Sequence, residues 1–498
     1  MFKLIIKSGG KKISYKNLAV GLRYLIDEKK LETSLSNLEK VFNINLSELQ
    51  RKSFLSENGN EIRIAKHSGK PDEIFISKVK LDEKFSVDYF RNHLAGFLPP
   101  LEKEELKSLH IFIPKFQAFK DYFESEEYFY QTFVEGLIFG NYNFDLYKSD
   151  KKTQKNLEIF LYADNEKLLK SALSKGSNLM EGVNFARDLQ NEPGISLTPD
   201  IFAKKIISTF TKENVKVKVY NEKEIKKRKM GGLLAVGMGS VNPPRFIIMD
   251  YQPKSKAKIK TIALVGKGVT FDTGGISIKP ANNMGEMKAD MSGAAVVAGT
   301  VLAAAKANLP VNIIGIIPSA ENMLSGSAMR PGDIIKTSSG KTIEVDNTDA
   351  EGRMVLADAL DYASRLKPDV IIDLATLTGA CVVALGEFVA GIFTKDESLA
   401  DNIYKSGLKT YDRVWRLPMW DDYHTLNKSD VADVKNNGGR WGGAISAAKF
   451  LENFVDKKIK WLHIDIAGPT GPYSLKNYTK TFMNPFGVRL LFDFLLKK

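Results

Sequence analysis

The spacing of apolar and polar positions changes along the chain. After residue 180, short apolar runs rich in β-branched residues recur: Val215–Val219, Phe246–Asp250, Thr261–Val265, Val311–Ile317, Thr342–Val345, Val370–Leu374 and Lys460–Ile466. Each has the length of a strand, and several are apolar without alternation, as expected where both faces of a parallel sheet are buried. Between them the period becomes helical. Pro199–Phe210 predicts a helix with Thr198 as its cap and Pro199 in its first turn. Ser292–Ala307 predicts a helix of small residues, and Ala444–Phe454 a further amphipathic one. Arg353–Leu366 carries Val355, Ala359, Tyr362 and Leu366 on one stripe and is stopped by Pro368. This alternation predicts an α/β fold: a mixed, largely parallel sheet flanked by helices.

Before residue 180, Phe, Tyr, Lys and Asn dominate and glycine is sparse. Ile74–Val79 and His110–Ile113 read as strands, and Phe116–Phe139 as a helical stretch. No catalytic constellation is visible there. The change of character places a boundary at 170–185, within or beside a connecting helix over Asn165–Leu189. The expected organisation is a smaller α/β N-terminal domain, 1–175, and a larger catalytic domain, 176–498.

Composition narrows the class. The chain has 498 residues, 43% hydrophobic and 26% charged, which is ordinary globular usage. Cys381 is the only cysteine, so an intrachain disulfide and a Cys-based zinc site are excluded. The net charge of +13 is spread along the chain, with its densest run at Lys223–Lys229. That run reads as a solvated helix face, with a nucleic-acid patch as the weaker alternative. The opening MFKLIIKSGGKK is too short for a signal peptide, and no stretch reaches the ~18 apolar residues of a membrane span. A cytoplasmic protein without a membrane partner is expected.

Three segments carry candidate chemistry. In the first, a strand ends at Val265 and enters a glycine-rich loop holding Lys267, Asp272 and Lys279. A phosphate loop would carry GxxxxGK[ST], which is absent, and would avoid the negative charge of Asp272. In the second, Asp290 stands just before the small-residue helix, where a capping role is the simplest reading. The third is Val345-Asp-Asn-Thr-Asp349-Ala-Glu351-Gly-Arg353, where carboxylates again precede a helix. Capping accounts for each acid singly but not for the set. Loops that follow strands of an open α/β sheet gather at its carboxyl edge. Carboxylates gathered there repel one another unless a cation sits among them. Oxygen ligands without His or Cys suit Mg²⁺, Mn²⁺ or a carboxylate-rich zinc pair. None of His67, His93, His110, His424 and His463 falls in these motifs.

Asn347-Thr-Asp-Ala-Glu-Gly-Arg353 resembles the signature of the leucyl aminopeptidase (cytosol aminopeptidase) family. Phe185–Pro193, Ala235–Arg245, Gly266–Pro280 and Asp373–Cys381 are similar to other blocks of that family, so the resemblance covers about residues 180–498 in order. Residues 1–175 match only in position and length. The resemblance implies two divalent metal ions, Mn²⁺ or Zn²⁺ with Mg²⁺ or Co²⁺ as alternatives. One ion would be held by Lys267, Asp272, Asp290 and Glu351, the other by Asp272, Asp349 and Glu351. Lys279 and Arg353 would be catalytic, Arg353 holding a bicarbonate that serves as general base. Met287, Thr376, Gly379 and Ala467 would line the first side-chain pocket, while Asn347 and Leu377, with Thr378, would position the peptide. The implied reaction removes N-terminal residues with apolar side chains, Leu and Met above all, through a metal-bridged hydroxide. A homohexamer is implied as well, and some members bind DNA. A two-metal phosphoesterase and a catalytically altered scaffold are the competing readings. One stretch departs from the pattern. Many members carry Gly-Ala-Thr-Gly before the last helix, whereas this chain has Thr481-Phe-Met-Asn-Pro485, expected to reshape the rim of the site.

Overall fold

All but one of the β-branched runs after residue 180 join a single nine-stranded sheet. In a computed structural model that describes residues 2–9, 21–27, 31–56, 61–65, 73–101, 106–150, 155–254, 259–471 and 482–497, the chain divides into two compact units. One is built from the chain up to Met180 and the other from Glu181 onward. The helix Glu166–Asn191 contributes residues to both.

In the second unit, four central strands run parallel in the order Lys460–Asp465, Val370–Ala375, Thr261–Gly266, Asn312–Asn322. Antiparallel strands extend both sides: Arg245–Tyr251 and then Val215–Tyr220 on one, Ala390–Phe393 on the other, with Val414–Arg416 parallel to the last. The sheet is thus mixed around a parallel core. Val370–Ala375 is buried at every position, which accounts for its unbroken apolar run. The helices Pro199–Phe210 and Ser292–Ala307 form over the predicted spans, and Gly352–Arg365 and Gly443–Glu452 lie within two residues of them. Thr198 Oγ1 caps the first of these, accepting from the Ile201 amide.

Thr342–Glu344 is the exception to the expected sheet. It pairs with Ile334–Lys336 and Val434–Lys435 in a separate three-stranded sheet. A tight turn closes this hairpin, with the Thr337 amide donating to Lys341 O, so local pairing captures the strand before it reaches the large sheet. The Lys223–Lys229 run lies on and just beyond the short helix Glu222–Lys227, with Ile225 buried and Lys223, Lys226 and Lys227 exposed.

The first unit has a six-stranded sheet in the order Phe2–Ser8, Lys155–Tyr162, Ser108–Phe112, Gly21–Asp27, Glu73–Val79, Glu61–Ala65, parallel except for the last pair. The helical stretch expected from residue 116 breaks into a single 3₁₀ turn, Phe116–Ala118, and a helix that starts only at Glu126. Ser125 supplies the start by accepting from the Tyr128 amide, while Phe119 and Phe123 enter an aromatic cluster with Phe90 and Phe129 from irregular backbone.

Behind the carboxyl edge of the large sheet, three backbones meet with no room for a side chain. A Cβ on Gly293 would lie 2.1 Å from Leu374 O, and one on Gly266 would lie 2.5 Å from Gly293 O. This close approach seats the first turn of helix Ser292–Ala307 against two strand ends. Backbone cannot yield as a flexible side chain can, so Gly293→Ala should lower the urea midpoint by an amount worth roughly 1–3 kcal/mol. An unchanged midpoint would show that these backbones separate without cost.

Candidate metal centre

Lys267 occupies a break between two strands. Thr261–Gly266 pairs with both Val370–Ala375 and Asn312–Asn322, whereas the following Gly268–Asp272 continues along Asn312–Asn322 alone. At the break the Lys267 amide donates to Leu374 O (3.0 Å) and its carbonyl accepts from the Ala294 amide (2.9 Å). With its backbone held on two sides, the side chain runs inward and is buried. Its Nζ lies 2.8 Å from Asp290, 2.9 Å from Glu351 Oε1 and 3.0 Å from Thr376 O. The methylenes lie over Gly352, where a Cβ would come within 2.4 Å of Lys267 Cε.

Asp272 ends the short strand. Its Oδ1 accepts from Asn322 Nδ2 (2.7 Å) and the Gly274 amide (2.9 Å), leaving Oδ2 facing Lys279 Nζ at 2.9 Å. Gly274 and Gly275 have φ of +84° and +67°, a left-handed turn that suits glycine. This turn brings the chain back so that the Lys279 amide donates to Thr273 O. Lys279 Nζ then bridges Asp272 and Asp349, the latter at 2.5 Å.

Neither Asp290 nor Glu351 caps its helix. Helix Ser292–Ala307 has Met291 at its cap position, and helix Gly352–Arg365 has Glu351; neither end has a side-chain cap hydrogen bond. Asp290 instead accepts from Thr376 Oγ1 at 2.8 Å. Glu351 Oε2 is buried and meets no donor among the described residues. Ligand oxygens of Asp272, Asp290 and Glu351 lie within 4.8 Å of one another. Asp349 joins this group through Lys279, whereas Asp346 turns away to Asn437 Nδ2.

The electrostatics follow from burial. Desolvation, reinforced by the neighbouring Asp272 charge, pushes the Glu351 carboxyl up to about 8. Burial likewise pushes Asp290 up to about 6, against the pull of Lys267, and raises Asp349. Burial alone would discharge Lys267, but Asp290, Glu351 and Asp272 outweigh it and hold the ammonium well above the ordinary lysine range. The same competition holds Lys279 high. Arg353, in the first turn of helix Gly352–Arg365, is buried, its guanidinium lowered to about 10 by desolvation, and its Nε finds no partner among the described residues.

The residues expected to contact a peptide lie on four segments. Met287 is on the 3₁₀ turn Met284–Ala289 that leads to Asp290. Thr376 and Leu377 follow strand Val370–Ala375, and Gly379 opens helix Gly379–Leu385. Ala467 follows strand Lys460–Asp465. Asn347 Oδ1 accepts from the Asp349 amide and so shapes the loop that carries Asp349. Sequence reasoning passed over Asn322 and Asp465. Asp465 accepts from the Leu377 and Ala467 amides and from Thr378 Oγ1, tying two of these segments together. The available signal was a polar residue closing an apolar strand, which is weak in both cases. The departure near the last helix begins at Thr481, outside the described residues. Beyond it, Met483 and Asn484 are bonded to Arg187, Gln190 and Asn191 and to Pro469 and Thr470, and Pro485 is buried.

Residues 184–492 match the cytosol aminopeptidase family, catalytic domain. A probable cytosol aminopeptidase of Chlorobaculum tepidum is 52% identical over 375 residues, 73% of this chain and 74% of that one. Another, of Persephonella marina, is 41% identical over 475 residues, 95% of each chain. Among solved structures, a mutant of tomato leucine aminopeptidase superposes with a TM-score of 0.85 at 31% identity, covering 100% of this chain and 97% of that one. The bottromycin maturation enzyme in complex with Mn superposes with a TM-score of 0.83 at 29% identity, covering 97% and 99%. The chain belongs to the cytosol aminopeptidase family and is a peptide hydrolase.

Proposed function

We propose that the protein is a two-metal aminopeptidase that removes apolar N-terminal residues, Leu and Met foremost, from peptides with a free α-amine. The observation that carries this reading is the set of buried carboxylates relieved of capping duty, with Glu351 Oε2 lacking a donor among the described residues. Such a donor set fits hard or borderline divalent cations. Asp272, Asp290, Glu351 and Lys267 would hold one ion, and Asp272, Asp349 and Glu351 the other. Two ions there would polarise the scissile carbonyl and make water a competent nucleophile at neutral pH. Support for Mn²⁺ comes from the bottromycin maturation enzyme described with that metal; Zn²⁺ is the second candidate.

The chain's own residues do the remaining work. Lys279, partly exposed and cationic, places its Nζ beside Asp272 and Asp349, where it stabilises the oxyanion that develops on the substrate carbonyl. Arg353 presents a buried guanidinium whose Nε has no partner among the described residues, a fit for a small anion. Bicarbonate held there would supply a proton acceptor. Met287, Thr376, Gly379 and Ala467 form the wall for the first side chain, and an apolar wall of this kind discriminates by only ~1–3 kcal/mol per methylene, so selectivity should be broad. Leu377 already donates its amide to Asp465, which leaves its carbonyl for the peptide backbone. Asn347 positions the peptide from the loop that carries Asp349. A cytosolic homohexamer is the assembly we carry forward with this reading. Within the Lys223–Lys229 run, Lys226 pairs with Glu222 and Arg228 lies over the Tyr220 ring.

Metal-stripped protein should not release p-nitroaniline from leucine p-nitroanilide. Added Mn²⁺ or Zn²⁺ should restore release, but not in an Asp349→Ala, Glu351→Ala double variant. Activity that persists in folded double variant would sink the assignment. Lys279→Met should cost roughly 10²–10³ in kcat with KM little changed; a loss confined to KM would make Lys279 a binding residue only. Lys267 can ligate only as a neutral amine, so metal uptake at neutral pH must release protons. Calorimetric titrations in buffers of different ionisation enthalpy should then give different apparent enthalpies, and identical values would remove Lys267 from the ligand set.

A further inference from the structure

Asn436, outside every motif, is fully buried and directs its whole side chain at the loop that carries Asp349. Its Oδ1 accepts from the Asp346 amide (2.8 Å) and the Asn347 amide (3.2 Å). Its Nδ2 donates to Asn347 O at 2.7 Å and to Ala350 O at 3.4 Å, with Met354 Sδ also 3.4 Å away. An asparagine side chain offers two donor hydrogens and two acceptor lone pairs, so these bonds exhaust it. Residues 346, 347 and 350 are thereby held, and Asp349 stands between the last two.

The small sheet accounts for the meeting of residues so distant in sequence. Val434–Lys435 runs parallel to Thr342–Glu344, with Ile343 opposite Val434 and Glu344 opposite Lys435. Parallel strands leave their ladder at the same end, one here into Asp346 and the other into Asn436. The Asn436 amide extends the ladder by donating to Glu344 O (3.0 Å), and Asn437 Nδ2 donates to Asp346 Oδ2 (2.7 Å) beyond it. The loop has a second anchor in Thr348. Its Oγ1 donates to Gly274 O (2.6 Å) and accepts from the Ser277 amide (2.8 Å), within the turn that leads to Lys279. Between a strand end and a helix start, the loop's own backbone groups lack the regular partners that buried amides and carbonyls need. Asn436 supplies those partners on either side of Asp349.

We propose that Asn436 is a positioning residue that fixes the Asp346–Ala350 loop and so holds the Asp349 carboxylate beside Lys279, where it can ligate the second ion. The inference rests on the proposed ligand set, in which Asp349 serves that ion alone. Removing the carboxamide leaves two amides and two carbonyls of the loop without their partner and lets Asp349 drift from Lys279, 2.5 Å away in the intact chain. None of the Asn436 bonds among the described residues reaches Lys267, Asp272 or Asp290, so the first ion stays as it is.

The test is a titration of metal-stripped protein with Mn²⁺, read as ions bound per chain. In Asn436→Ala one of the two ions should bind roughly 10–100-fold more weakly and the other as in wild type, the usual effect of losing a residue that orients a ligand from behind. Hydrolysis of leucine p-nitroanilide should fall at limiting Mn²⁺ and recover in part when the ion is in excess. In an Asp349→Ala background the same change should cost nothing further, because both act on one ligand. Asn427→Ala is the control: it removes another buried asparagine, bonded to Lys435 O on the same short strand, without touching the loop. It should leave both affinities unchanged. Equal weakening in the control, losses that multiply in the double variant, or a lower unfolding midpoint with both ions bound as before would each overturn the proposal. If Asn436→Ala does not fold, Asn436→Asp keeps the size and the acceptor and drops the donor to Asn347 O and Ala350 O. Crystal structures of metal-free wild type and either variant read the inference without ions: an Asp349 carboxylate displaced from Lys279 supports it and an unmoved one overturns it. Wild type that binds no ion and hydrolyses no aminoacyl anilide would sink the aminopeptidase reading and leave that structural comparison to decide the role of Asn436.

Discussion

The second unit is organised around buried negative charge. Asp272, Asp290 and Glu351 are almost fully buried and share a space less than 5 Å across. Two unit charges 4 Å apart repel by about 4 kcal/mol at an effective dielectric of 20, so three carboxylates cannot stand there uncompensated. Lys267 and Lys279 provide the compensation in the structure, each ammonium bridging two carboxylates. The cluster is a demand for positive charge, and the fold meets it by bringing three separate segments to one edge of the sheet.

That convergence depends on backbone packing behind the carboxylates. Lys267 can turn inward because its own amide and carbonyl are tied to Leu374 and Ala294. Those ties need helix Ser292–Ala307 to approach the strand ends as closely as the glycines at 266 and 293 permit. The same helix start places Asp290, and the same strand end leads into Thr376, whose hydroxyl holds Asp290. Gly352, pressed on the Lys267 side chain, couples the third segment to the first. Packing and electrostatics are therefore one constraint: a methyl group at any of these glycines displaces a charge.

Much of this arrangement was legible in the sequence because its determinants are local. Continuous β-branched runs mark strands buried on both faces, and Thr198-Pro199 marks a helix start that the structure reproduces. The acids were legible as a set because each stands in a short loop after a strand or before a helix. What stayed hidden depended on partners distant in sequence. Thr342–Glu344 reads like the other strands, yet a five-residue turn pairs it locally and removes it from the large sheet. Phe116–Phe123 has helix-like apolar spacing, yet its rings serve an aromatic cluster better without helical backbone. Asn322 and Asp465 carry no motif at all, since their roles arise only from contacts 50 and 88 residues away.

The lysine at the break also shows how one residue can serve two charge states. Asp290, Glu351 and Asp272 hold Lys267 as an ammonium, more strongly than burial opposes it. A divalent ion among the same oxygens would reverse the balance, because the carboxylates would then answer to the ion and no longer favour a proton on Nζ. Lys267 is fixed by its backbone and by Gly352, so its nitrogen stays where either partner needs it. Arginine could not make this exchange, being unable to lose its proton in a protein. A buried lysine among carboxylates would thus suit the proposed metal centre, balancing the charge without ions and able to serve as a ligand with them.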